Sequence, residues 1–159
     1  MKNIKIITFL FLLILLTFNN KIYSDNESET INNIIKKEKS LKGYKINTIN
    51  SYDEEDKKWI RYHKGKFILK YDLNKNSILE YFVSLTDGQK SALLIIENIN
   101  DLKKLKSRIF FYKAEKFILY KDKNFDDEIV VCFKLGSDLM GFIKYKKSGY
   151  YLEPYSSEE

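Results

Sequence analysis

The chain has 159 residues with 28 basic and 22 acidic side chains, so its formal net charge is +6, and 44% of its residues are hydrophobic. This length fits one domain with a single core. Cys132 is the only cysteine, which excludes an intramolecular disulfide, and no HExxH, CxxC, GxSxG or glycine-rich phosphate-binding motif is present.

Residues 1–24 have the layout of a secretory signal peptide. Lys2 and Lys5 form a cationic start, an almost unbroken apolar run covers 6–18, and a polar boundary follows Ser24. The run is shorter than the roughly 20 residues that span a bilayer as a helix. We therefore expect cleavage after Ser24 and export to the periplasm or outside the cell, with an uncleaved membrane anchor as the alternative.

Cleavage would also change the charge of the protein. Lys2, Lys5 and Lys21 would leave with the signal and no acidic residue would, so the net charge would fall from +6 to +3. A charge this small argues against nucleic acid as a partner. No integral membrane segment would remain in the processed chain.

The polar segment 25–48 carries apolar residues at helix-compatible spacing. Asn26 and Glu29 are placed as a capping pair and Gly43 as a stop signal. The pattern predicts an amphipathic helix, and a disordered charged spacer remains the alternative. The apolar residues are Ile31, Ile34, Ile35 and Leu41.

From Trp59 onward, short aromatic and β-branched runs alternate with turn residues, which predicts antiparallel strands and hairpins. The run 92–96 is apolar on both faces, so we expect a central strand covered on both sides, with a helix on one of them. Asn98 or Asn100 followed by Ile99, Leu102 and Leu105 predicts that helix. The first four strands are expected at 59–62, 67–71, 78–85 and 92–96.

The chain resembles itself at an offset of 50 residues. The offset places 66–69 on 116–119 and Asp72 on Asp122, where strands or turns are predicted. We therefore predict an α+β fold, mostly antiparallel β meanders, in a single domain over 49–159 that ends in a frayed tail. Its two related units, 49–98 and 99–152, would each be a short helix followed by four strands, joined in one curved sheet with the helices on one face.

The second unit contains three further runs with strand character. The run 129–135 places Cys132 opposite the inward residues, as a quiet, half-buried thiol. The run 141–145 alternates apolar and polar residues and is expected near a sheet edge. Residues 150–152 predict a last short strand.

Groups suited to catalysis are few in this sequence. His63, the only histidine, is expected in a solvent-facing hairpin turn between basic residues, a poor setting for a general base. The acids at 53–56 suit the N-terminus of a helix, because the helix dipole favours negative charge there. Asp122, Asn124, Asp126 and Glu128 alternate in a loop that lacks the glycine of a calcium site, so we expect a solvated turn. Neither a metal nor a cofactor is predicted.

These patterns predict a small exported non-catalytic protein that binds a macromolecule, a protein or a glycan, through an exposed sheet or edge. Aromatic side chains contribute strongly to binding surfaces. The candidate binding residues are Trp59, Tyr62, Tyr112 and Tyr145. One alternative is a small hydrolase or transferase that uses the carboxylates of Asp72, Glu80 and Asp122, and another is a structural or cell-wall-associated protein.

Overall fold

The computed structural model describes residues 27–101, 103–114, 116–122, 128–133, 140–147 and 149–155. The predicted cleavage site after Ser24 and the apolar run before it lie outside these residues. Within the described ranges, no helix has the length and apolar character needed to cross a membrane. The chain divides into two compact units, Met1–Lys42 and Gly43–Glu159.

In the first unit, residues 27–37 form helix α1, in the segment where a helix and a spacer were alternatives. Ile31 and Ile35 are buried, one helical turn apart. A single 3-10 turn, Lys39–Leu41, follows, and the Glu38 carboxylate accepts a hydrogen bond from the Ser40 N–H at 3.3 Å.

The second unit contains two antiparallel sheets and helix α2, Glu54–Tyr62. Sheet A comprises β1 Lys45–Ile46, β2 Ile68–Tyr71, β3 Glu80–Thr86, β4 Ser91–Glu97 and β5 Lys106–Tyr112; sheet B comprises β6 Ile118–Asp122, β7 Glu128–Cys132, β8 Met140–Lys146 and β9 Gly149–Pro154. In sheet A, β1 and β2 pair one after the other with the same edge of β3, and β4 and β5 follow on its other side. In sheet B, the four strands form a meander in chain order.

The prediction of a mostly antiparallel α+β fold is confirmed: the described residues form two α-helices and nine strands in two sheets. The inner faces of the sheets share one core, to which every second side chain of a strand points. Sheet A contributes Phe82, Leu93 and Ile95 to this core, and sheet B contributes Leu119, Ile129, Val131, Ile143 and Tyr150. The outer face of sheet B packs against α2 through Ile60.

Among the described residues, backbone hydrogen bonds join the two sheets along one side. The Lys66 N–H donates to the Leu119 carbonyl at 2.7 Å, and the Leu119 N–H donates back to the Lys66 carbonyl at 2.9 Å. Nearby, the buried Ser84 hydroxyl donates to the Phe117 carbonyl at 2.6 Å and accepts from the Asn47 amide at 2.8 Å. On the other side, β5 and β9 pair with one described strand each and not with each other. Among the described strands, no pairing therefore joins the two sheets on that side.

The prediction of a strand at 59–62 is wrong, because these residues form the last turn of α2. Asp53 caps this helix by accepting a hydrogen bond from the Asp56 N–H at 2.8 Å. The acids of the first turn favour the helix there, as predicted. His63 is therefore the C-terminal cap of a helix and not part of a hairpin turn.

The helix predicted after Asn98 is also wrong for the described residues. Asn98 adopts a left-handed φ of 56°, and the Asp101 N–H donates to its carbonyl at 2.9 Å. The Lys104 N–H then donates to the Asp101 carbonyl at 2.9 Å, which closes a second turn and leads the chain directly into β5. The backbone therefore turns where the apolar spacing predicted a helix.

The predicted single curved sheet is wrong, because the chain leaves sheet A after β5 and starts a second sheet at β6. The starts of β2 and β6, Ile68 and Ile118, are 50 residues apart, but β5 lies where that offset would place α2. The duplication and the placement of the helices on one face stay predictions. The predicted strands 67–71, 78–85 and 92–96 match β2, β3 and β4 within two residues at each end, and β4 is central and buried as expected.

Candidate binding surface

The structure separates the four predicted aromatic residues into two pairs. Trp59 and Tyr62 lie on α2, where the Trp59 ring stacks on His63 with 3.9 Å between centroids and Tyr62 is 83% exposed. Tyr112 ends β5, and Tyr145 lies on β8 and is 42% exposed. Each of these two tyrosines lines a cleft beside β5.

The first cleft, here the cationic cleft, has a volume of about 470 Å³ and lies where the start of β5 meets the β8–β9 hairpin. Three cationic side chains and one carboxylate line it, and among the described residues none of the three cations forms an ion pair. The lining residues are Glu97, Lys106, Ser107, Arg108, Tyr145, Lys147 and Gly149.

Gly149 lets Arg108 lie against the backbone of the hairpin. Its φ is +114°, and a Cβ atom there would come within 2.6 Å of the guanidinium carbon of Arg108. Only a residue without a side chain permits both the left-handed backbone and this approach. The guanidinium therefore lies against the hairpin backbone at the wall of the cationic cleft, and the Arg108 side chain is exposed.

The second cleft, here the apolar cleft, has a volume of about 370 Å³ and lies at the other end of β5. Tyr112 packs there against Phe133, with 4.8 Å between ring centroids. Burial raises the pKa of Tyr112, and its hydroxyl is buried without a hydrogen-bond partner among the described residues. The lining residues are Tyr112, Lys113, Ala114, Phe133, Met140, Pro154 and Tyr155.

Strand β5 connects the two clefts and forms an edge of sheet A. It pairs with β4 from Lys106 to Tyr112, and no described strand pairs with its other edge. An edge strand presents unpaired backbone N–H and C=O groups. Phe111 is 53% exposed on this strand, and its ring meets the edge of Tyr44 at 5.9 Å.

Sequence reasoning missed β5 and therefore missed Arg108 and Phe111 as candidates. A signal was present, because the run 109–112 contains only β-branched and aromatic residues, which are typical of strands. The spacing of Leu102 and Leu105, which lie shortly before that run, predicted a helix there instead. No local pattern indicates that the β8–β9 hairpin lies beside it.

Two of the three carboxylates of the predicted alternative enzyme, those of Asp72 and Glu80, have structural partners. Glu80 is 1% exposed, accepts a hydrogen bond from the Leu73 N–H at 2.7 Å and is hydrogen-bonded to Tyr150. Asp72 accepts from the N–H groups of Asn76 and Ser77, at 3.0 and 2.8 Å. Both carboxylates hold the β2–β3 loop. Asp122 ends β6, and its side chain lies outside the described residues.

We expect Glu80 to make stability depend on pH. Burial raises its pKa above the ordinary 4.5, so the folded chain holds this proton more tightly than the unfolded chain. The protonated Glu80 side chain therefore makes its full contribution to stability below pH 4.5, and that contribution is lost as the pH rises through the folded-state pKa. Between about pH 4 and 7, wild type should lose more stability than Glu80→Gln in urea unfolding. Glu55→Gln, at an exposed site on α2, should follow wild type, and parallel profiles for wild type and Glu80→Gln would contradict the assignment.

His63, at the C-terminal end of α2, and Cys132, on the outer face of sheet B, lie in the same layer of the molecule. Cys132 is buried there, more deeply than the half-buried position predicted from sequence. Within the described ranges, no group of three or more His, Cys, Asp or Glu residues is placed to hold a metal ion. Most of the alternating acidic loop, 123–127, lies outside those ranges.

Comparison with protein-family models, with curated proteins and with solved structures finds no match to this chain. No activity, ligand or partner is therefore carried over from a relative. The function proposed for this protein rests on the charge, exposure and edge geometry of β5 and of the two clefts at its ends.

Proposed function

We propose that this protein is an exported, non-catalytic binding module that holds a macromolecule, a protein or a glycan, along edge strand β5. The observation that carries the proposal is the position of an exposed sheet edge between a cationic and an apolar cleft. Export is supported by the cationic start and apolar run of residues 1–24.

The side chains along this edge are of the types that contribute most to binding. Aromatic residues and arginine are enriched at protein interfaces and at their energetic centres. Here Phe111 is exposed on β5, Arg108 precedes it, and Tyr145 faces the cationic cleft. A single exposed aromatic residue needs no functional explanation, but Arg108 and Phe111 lie on the same edge strand, and Tyr145 on β8 lines the cleft at the start of that strand.

Photo-cross-linking in the producing cells tests the proposal. A photoreactive phenylalanine analogue is placed at Phe111 and, in a matched control, at Tyr62, which is also an exposed aromatic residue but lies on α2. Both side chains are already at the surface, so neither replacement should disturb the core. We expect a discrete adduct of higher mass from position 111 and none from position 62.

The adduct should depend on the cationic cleft. Arg108→Glu combined with the analogue at position 111 should abolish it, whereas Lys58→Glu on α2 should leave it unchanged. Absence of any adduct from position 111 would overturn the binding proposal and favour a structural role. The same adducts from positions 62 and 111 would show that β5 is not the binding edge.

A further inference from the structure

Resting on the proposed function, we infer that the occupant of β5 is an extended peptide segment with an acidic end, which adds to sheet A as an antiparallel strand. Its acidic end lies in the cationic cleft and an apolar side chain near its other end lies in the apolar cleft. The inference goes beyond a general binding role, because it fixes the chemistry, conformation and direction of the partner.

The open edge of β5 favours an extended partner. All of its described pairing is with β4, so the backbone groups on its other edge are available for a further ladder of hydrogen bonds. Peptides that add to a sheet edge gain affinity from these bonds and specificity from pockets for alternate side chains. Every strand pair in sheet A is antiparallel, and antiparallel pairing is slightly more stable per residue than parallel pairing.

The charge of the first cleft favours an acidic group at one end of the peptide. Lys106, Arg108 and Lys147 face one carboxylate, Glu97, and form no ion pairs among the described residues. Arginine binds carboxylates through two parallel hydrogen bonds, and the Arg108 guanidinium lies at the wall of this cleft beside Gly149. An Asp or Glu side chain, or a free carboxyl terminus, complements this cleft.

The distance between the clefts sets the spacing in the peptide. Lys106 lines the cationic cleft and Tyr112, six positions later and on the same face of β5, lines the apolar cleft. At roughly 3.4 Å per residue these positions are about 20 Å apart. An antiparallel partner therefore carries its apolar side chain first and its acidic group about six residues later.

Synthetic peptides of about seven residues test this inference. The forward peptide has leucine first, alternating threonine and valine in the middle and two glutamates last, and the reversed peptide has the opposite order. Two further versions of the forward peptide carry N-methyl groups on alternate residues, one on the odd and one on the even positions. Binding of fluorescent peptides to the processed protein is measured by anisotropy.

We expect the forward peptide to bind and the reversed peptide to bind at least tenfold more weakly. Only alternate N–H groups of an added strand face β5, so one N-methylated version should lose binding and the other should keep it. Arg108→Glu and, as a second variant in the same cleft, Lys147→Glu should weaken binding on the order of tenfold or more. Lys58→Glu changes the net charge equally and should have no effect. Each variant must first show the cooperative melting of wild type.

Equal binding of the forward and reversed peptides, or of the two N-methylated versions, would overturn strand addition, because attraction between charges alone has no direction or register. If no peptide binds but the adduct at position 111 persists, the peptide inference fails, the binding function stands and a glycan becomes the indicated partner. If both peptide binding and the adduct are absent, the inference and the proposed function fail together.

Discussion

Leu94→Ala is expected to lower the free energy of unfolding by about 2–5 kcal/mol. Leu94 lies in the centre of β4 and is fully buried. Its neighbours across the sheet are Val83 on β3 and Ile109 on β5. Truncation would remove buried apolar surface and leave a cavity, because paired strands on both sides limit how far the backbone can close around it.

Leu79→Ala is the matched control for this change. It is the same chemical substitution at a leucine that is 51% exposed before β3, so the cost should stay below about 1 kcal/mol. Urea unfolding of both variants and wild type measures the difference. Equal midpoints for Leu94→Ala and Leu79→Ala would contradict the central position of β4.

Separate expression of 49–98 and 99–159 is expected to give two fragments without cooperative unfolding transitions. The cut separates β4 from β5, its partner over seven residue pairs. It also divides the core between the sheets, because Phe82 and Leu93 lie in one fragment and Leu119 and Val131 in the other. A chain of about 50 residues is near the lower limit for an independent core.

Thermal melting followed by circular dichroism checks this expectation, with the intact processed chain as the control. The intact chain should give one cooperative transition, because both sheets contribute to a single core. Cooperative melting of both fragments with native-like spectra would mean that each predicted unit folds alone. The conclusion that the two sheets depend on one shared core would then be wrong.

Much of the fold could be predicted because its signals are local. Strands β2, β3 and β4 are runs of apolar residues bounded by turns, and the Asp-Gly pair at 87–88 indicates the hairpin between β3 and β4. The errors arose where two local signals competed. In α2, the Asp53 cap outweighs the strand propensity of the aromatic residues at 59–62. After β4, the turn at Asn98 outweighs a helical spacing of leucines.

The candidate binding surface could be predicted only in part. Tyr112 and Tyr145 were candidates as aromatic residues, but their relation to β5 depends on how the two sheets pack. Arg108 has no special local sequence context; its position against Gly149 results from contact between β5 and the β8–β9 hairpin. These elements are about 40 residues apart in the chain, and a single sequence contains no signal for such contacts.

Amide hydrogen exchange, with and without the macromolecule captured at position 111, tests directly whether that partner binds along β5. If the partner binds along β5, exchange should slow at alternate residues of Lys106–Tyr112, the positions whose N–H groups face away from β4. The amides of α2 should keep their rates. Unchanged exchange throughout β5, together with slowed exchange in α2 around Tyr62, would contradict binding along β5 and place the binding surface on the helix.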